Sequence, residues 1–164
     1  ALQNLSQASL SSIDEQARLF YGSSIIESNP LTLFSIERPN QIVLGDFLLE
    51  LLVNTQDPRL NMYAALSEDL YRIYQEDNPM IYWGQMDAPV SLISLSEAKF
   101  IAAEAHLRLG EDIQAEQAFK EAVWSNFEEL GLSNDPLASQ IIDQQASFSR
   151  LGSFEEKLER IISQ

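Results

Sequence analysis

The sequence predicts an all-α fold, an irregular helical array with one antiparallel helix pair, and three observations predict it. Between Ser94 and Phe127 the apolar residues recur at steps of three and four, the period of a helix buried along one face. Two Ser-x-x-Glu boxes, Ser94 with Glu97 and Ser153 with Glu156, mark helix starts, because hydroxyl and carboxylate each satisfy a backbone N–H that the first turn leaves orphaned. Gly110 and Gly131 stand just past two of the periodic runs, where a left-handed residue closes a helix. At 164 residues, with 45% hydrophobic and 21% charged residues, the chain has the composition of a globular protein able to bury a core.

Taken in order, Ile13, Ala17 and Phe20 fall at helical intervals before Gly22 and predict one short N-terminal helix. Asn29-Pro30 then reads as a break, and residues 31–44, with Pro39 and Asn40, suit an extended or looped path. Asp46 is placed to cap a helix whose face is Phe47, Leu48, Leu51 and Leu52, ending near Asn54 before the Asp57-Pro58 turn. Packing resumes from Arg59 to Tyr63. Residues 67–90, rich in Tyr, Asn, Pro and Gly, predict an ordered loop region long enough to be either functional or the host of a further helix.

From Ser94 a helix carries Ala98, Ala102, Ala105 and Leu109 on one face up to Gly110. Asp112 is placed to cap the next, whose inward stripe is Ala115, Ala118, Phe119, Ala122, Val123 and Phe127. Asp135-Pro136 opens a third, with Leu137, Ile141 and Ile142, by the cap-then-proline arrangement. Phe154, Leu158, Ile161 and Ile162 form a last stripe still running near Gln164, which is expected of a chain cut from a longer one. The start at Ala1, with no Met or signal peptide, leads to the expectation that any targeting segment lies before this numbering.

Charge narrows the partners. Ten Lys and Arg stand against twenty-five Asp and Glu, a net charge of −15 that repels phosphate backbones and anionic lipid, so nucleic acid is excluded as an expected partner. The absence of cysteine excludes disulfides, thiolate metal sites and cysteine nucleophiles. The longest apolar run, Phe47 to Val53, holds Glu50 and falls far short of the roughly 20 residues that span a bilayer.

Leu109-Gly110, Ala115, Phe119 and Ala122 reproduce the tetratricopeptide pattern: a leucine-glycine turn, an alanine, an aromatic residue four further on and a second alanine three after that. Alanines at the crossing let two antiparallel helices approach closely while Phe119 fills the groove, and Ala102 and Ala103 supply small residues from the first helix. One such unit is visible, so a tandem array is not expected.

The run Pro89 to Gly110, with Ser91-Leu92-Ile93-Ser94-Leu95-Ser96-Glu97-Ala98 at its head, resembles the central region of the SusD/RagB-like nutrient-binding proteins. So does the preceding order: Asn29-Pro30, Arg38-Pro39, a short helix, then Asp57-Pro58-Arg59-Leu60 with Tyr63 after it. The resemblance covers most of the chain, from Asn29 to Gln164. It implies a mainly helical surface lipoprotein of the outer membrane of Bacteroidetes, working in polysaccharide utilisation. The partners it implies are a TonB-dependent SusC-like transporter and a glycan or peptide ligand, with membrane attachment only through a lipid anchor outside this chain. It also implies that residues 1–164 are a single fragment of a larger SusD-like domain, with a loop-rich helical part over 1–90 and a tetratricopeptide-like part over 91–164. The alternative is a tetratricopeptide-like protein-interaction scaffold with no small-molecule ligand.

Glycan binders stack sugar rings on flat aromatic faces beside amides and carboxylates, and Tyr74, Tyr82, Trp83, Gln85 and Asp87 are the best local match, against the alternative that they anchor a loop on the core. Trp124, within a helical stripe, reads as core or interface. His106, the one histidine, has no partner at metal-binding spacing, and the acidic pairs Glu68-Asp69, Glu128-Glu129 and Glu155-Glu156 read as solvated surface. No Gly-x-Ser-x-Gly, Walker, dinucleotide, His-Glu-x-x-His or calcium-loop motif occurs, so neither an enzyme nor a cofactor is expected.

Overall fold

Asn29 and Pro30 begin a helix instead of ending one. In the computed structural model, which describes residues 10–75, 78 and 80–163, helix α1 spans Pro30–Glu37 and the side chain of Asn29 caps it by accepting a hydrogen bond from the Leu31 N–H at 2.8 Å. Proline suits the first helical position because its missing N–H is one the helix would leave unsatisfied and its φ is already helical. The predicted looped path over 31–44 is therefore corrected at its start, and only the stretch after Arg38 follows it.

Six further α-helices occur among the described residues: α2 (Asp46–Asn54), α3 (Leu60–Tyr63), α4 (Leu95–Arg108), α5 (Asp112–Glu129), α6 (Ala138–Gln145) and α7 (Phe154–Ile162). Four short strands accompany them: β1 (Ala17–Leu19) pairs with β4 (Val90–Ile93), and β2 (Ala65–Ser67) with β3 (Leu70–Arg72). The fold is thus mostly helical with two small sheets, where the sequence predicts helices alone. The predicted N-terminal helix is replaced by a single 3-10 turn, Ile13–Glu15, followed by β1, and Phe20 is 79% exposed.

Two units divide the chain, one over Arg18–Ser91 and the other formed by the described residues up to Ala17 and from Leu92 onward. In the first, α1 and α3 each meet the 3-10 turn Tyr82–Gly84, and α2 meets α3. The stretch predicted as one long loop holds a β-hairpin. Ala65, Leu66 and Ser67 face Arg72, Tyr71 and Leu70, so Glu68 and Asp69 form a two-residue turn with φ of 50° and 66°. Both central residues of that turn type need positive φ, a conformation that Asn-Gly adopts with least strain. The buried pair Asp57 and Arg59, joined at 2.7 Å, fixes the corner between α2 and α3.

The second unit is built on α4 and α5. Ser94 and Glu97 form the expected capping box, and Gly110 (φ +76°) closes α4 as Gly131 (φ +73°) closes α5. The helices run antiparallel, as three contacts fix: the buried Ser96 hydroxyl donates to the Ala122 carbonyl at 2.8 Å, Lys99 pairs with Glu121 at 2.6 Å, and the Phe100 and Phe119 rings lie 5.9 Å apart. At the turn, His106 Nδ1 lies 2.6 Å from a Glu111 carboxylate oxygen. All six residues of the α5 stripe are buried, and Phe119 and Phe127 are fully so. On α4 the inward face is Ala98, Ala103 and Leu107, one step round from the face predicted, and Leu109 is 64% exposed.

Asp112 is the first residue of α5 and not its cap, and its carboxylate pairs with Lys157 of α7 at 2.6 Å. Helix α6 packs on α5 and α7 on α4, with Ile141 and Ile161 buried in the common core. The second capping box, Ser153 with Glu156, starts α7.

Candidate functional site

The five predicted site residues lie in the first unit and do not form one surface. The Tyr82 and Trp83 rings meet edge to face, centroids 4.8 Å apart and planes at 87°, so each covers part of the other. The turn beneath them is tied to α1 by the buried Thr32, whose hydroxyl lies 3.1 Å from the Trp83 carbonyl and 2.9 Å from that of Gln85. Gln85 turns its amide inward, donating to the carbonyls of Asn78 at 3.2 Å and Ile81 at 3.0 Å. Gly84 holds the turn close to the segment that follows β3, since a Cβ there would meet the Ile73 carbonyl oxygen at 2.7 Å. Asp87 is exposed. Tyr74 lines a separate cavity with Arg38 and Arg72, which does not include the other four.

The second unit carries a groove that the sequence reading missed. Its volume is about 540 Å³, inside the range of small-ligand pockets, roughly 300–1,000 Å³. Trp124 lines it and is 39% exposed, with Lys99, Glu121 and Glu128 nearby and Ser139 and Asp143 contributed by α6. Position along α5 explains the arrangement. Gln117, Glu121, Trp124 and Glu128 follow at steps of four, three and four on the side opposite Ala115, Phe119 and Ala122, so packing the alanine face inward turns this row outward. Trp124 reads as part of the core stripe only if the apolar residues of α5 are taken as one set. The acidic and amide residues at helical spacing around it were the available signal.

Electrostatics in the groove are mixed. For Glu121, burial works to raise its pKa, but hydrogen bonds from Gln117 and Lys99 and the Lys99 charge outweigh it and hold the carboxyl below its ordinary value. Among the described residues, Glu128 and Asp143 have no ion pair or hydrogen bond to their carboxylates and stand ready to accept from a ligand. An exposed indole face next to acceptors, a lysine and a serine hydroxyl suits a polyol or a peptide: the ring stacks, and the polar groups orient.

Among the described residues no group of three or more His, Cys, Asp or Glu side chains could hold a metal ion. No helix among them is long and apolar enough to cross a membrane. No family model matches the chain, and no curated protein matches it.

Proposed function

We propose that the chain is the central part of a SusD/RagB-like capture protein that holds a glycan or peptide at the outer membrane for a TonB-dependent transporter, without catalysing a reaction. The observation that carries this reading is the ordered set of sequence landmarks from Asn29-Pro30 through Asp57-Pro58-Arg59 to the run ending at Leu109-Gly110. Support comes from the work those landmarks do: Asn29, Asp57 and Arg59 are buried polar keystones, and the last run leads into a closely packed, alanine-lined antiparallel helix pair. Large buried polar residues are retained where their hydrogen bonds fix a particular chain path, which is how a family pattern of separated positions arises. The groove around Trp124 supports a binding role.

Isothermal titration of the full-length protein against polysaccharides and oligopeptides tests the reading. Saturable binding of at least one ligand is expected, and silence across a broad panel overturns it. A second reading, a tetratricopeptide-like scaffold for a protein partner, is favoured by the position of the groove beside the helix pair. It predicts that affinity capture recovers a stoichiometric partner whose binding is lost in Trp124→Ala.

A further inference from the structure

Between residues 18 and 91 the chain has ten acidic residues, no lysine and four arginines, Arg18, Arg38, Arg59 and Arg72. Two of the four line one cavity. It measures about 480 Å³ and is bounded by Ser35, Arg38, Asn40, Arg72, Tyr74 and Gln75. The fold brings them together because the segment after α1 runs beside β3: Val43 bridges Arg72 in antiparallel sense, and the Leu44 N–H donates to the Tyr71 carbonyl at 2.7 Å. Arg38, just past the end of α1, and the residues that follow β3 are thereby set against the same space.

Neither arginine is fully matched. Arg59 is closed off with Asp57, but among the described residues Arg38 makes no ion pair, and its guanidinium rests 5.3 Å from the centre of the Phe34 ring. Arg72 spends one terminal nitrogen on the exposed Glu68 carboxylate, while its Nε–H is buried with no hydrogen-bond partner. A buried guanidinium donor without an acceptor is costly, and the exposed guanidinium of Arg38 offers charge-assisted donors to an oxyanion in the same cavity. Two guanidinium groups, a phenol and two amides around a space of this size fit a carboxylate carried on a small polar body better than a bare inorganic anion.

We propose that this cavity binds a carboxylate-bearing ligand, with Arg38 and Arg72 sharing the carboxylate and Tyr74, Asn40 and Gln75 contacting the body that carries it. The carboxylate has two sources, an acidic sugar and the C-terminus of a peptide, and the same guanidinium chemistry serves both. The proposal is independent of the capture reading above, since it rests on a different unit and on different residues.

Nitrogen–proton NMR of the arginine Nε–H signals, recorded on the full chain, tests it with four probes: methyl glucuronoside, methyl glucoside, N-acetylglycine and N-acetylglycine amide. Saturable shifts of the Arg38 and Arg72 signals are expected with at least one acid. Its neutral counterpart should need about tenfold higher concentration or more, as expected for losing a charge-assisted hydrogen bond. A response to the glucuronoside identifies an acidic sugar, one to N-acetylglycine a peptide terminus, and each supports the proposal. Arg38→Gln should weaken the acid about tenfold or more and leave the circular dichroism spectrum unchanged, because Arg38 is exposed and its guanidinium rests on the Phe34 ring. Arg72→Gln should do the same where the hairpin stays intact, and Arg38→Gln decides the matter where it does not. No saturable shift with either acid, equal binding of acid and neutral counterpart, or an affinity untouched by Arg38→Gln overturns the proposal. Loss of acid binding with neutral-glycan binding retained separates this cavity from the Trp124 groove.

Discussion

Replacing Asn29 by alanine and by aspartate separates two tasks that one side chain performs. Its Oδ1 accepts from the Leu31 N–H at 2.8 Å and caps α1, and its Nδ2 donates to the Ala88 carbonyl at 2.8 Å across a separation of 59 residues. Its own N–H donates to the Met86 carbonyl and survives either change. Alanine removes both side-chain bonds at a site only 1% exposed. Loss of a cap costs about 0.5–2 kcal/mol, and leaving a buried carbonyl without its donor about 1–3 kcal/mol, so Asn29→Ala should destabilise by about 1.5–5 kcal/mol. Aspartate keeps the cap but sets a carboxylate oxygen against the Ala88 carbonyl, so its folded pKa should rise above the ordinary value, about 3.9. The protonated form restores the donor. A group whose folded pKa is raised is fully stabilising below its unfolded pKa and loses that stability as pH rises toward the folded value. The deficit of Asn29→Asp relative to the natural protein should therefore be smallest near pH 4. It should grow by about 1.4 kcal/mol for each unit that the folded pKa exceeds the unfolded one, and then level off. Urea unfolding followed by circular dichroism between pH 4 and 7.5 measures both. A pH-independent Asn29→Asp deficit, or an alanine effect below about 0.5 kcal/mol, refutes the assigned hydrogen bonds.

Phe119→Ala, at a fully buried ring between Phe100 and Phe148, should destabilise by about 3–5 kcal/mol in thermal unfolding, and a change under 1 kcal/mol would place the core elsewhere. Replacing the Glu68-Asp69 turn by Asn-Gly, which relieves two non-glycine residues at positive φ, should stabilise the hairpin by about 1–2 kcal/mol, read from urea midpoints. Glu121 is held below the ordinary 4.5, so its contribution is present above that pH and lost as pH falls through the lower folded value. The stability advantage of the natural protein over Glu121→Gln should accordingly shrink as pH drops below about 4.5, and an advantage that persists at pH 3 contradicts the Lys99 pairing.

How much was legible depended on which residues face inward. Helices α4 and α5 were readable because their buried positions are apolar and their ends carry a capping box and glycines at positive φ. Helix α1 was not, since its buried residues are Thr32 and Ser35 while Leu31, Phe34 and Ile36 are exposed, which inverts the pattern that hydrophobic periodicity detects. The Asx-Pro signal at Asp135-Pro136 predicted a cap with proline at the first helical position, but the helix starts two residues later, at Ala138 with Leu137 before it, and Asp135 Oδ1 accepts from the Leu137 N–H in the turn that leads in. The hairpin at Glu68-Asp69 lacks the Asn-Gly that advertises such a turn. For the candidate sites, residue type pointed to Tyr82 and Trp83, but their mutual edge-to-face contact and the inward Gln85 amide are tertiary facts. Tyr74 was picked out for stacking on sugars, and the structure gives it two arginines as cavity neighbours instead.

The two tryptophans make the capture reading directly measurable, since Trp124 lines the groove and Trp83 lies on the other unit. Intrinsic fluorescence of the full-length protein, its Trp83→Phe variant and its Trp124→Phe variant is to be followed during titration with oligosaccharides and oligopeptides. A saturable change retained in Trp83→Phe and abolished in Trp124→Phe is the predicted result. An unchanged spectrum in the natural protein across the whole panel, or a change that survives loss of Trp124, contradicts it.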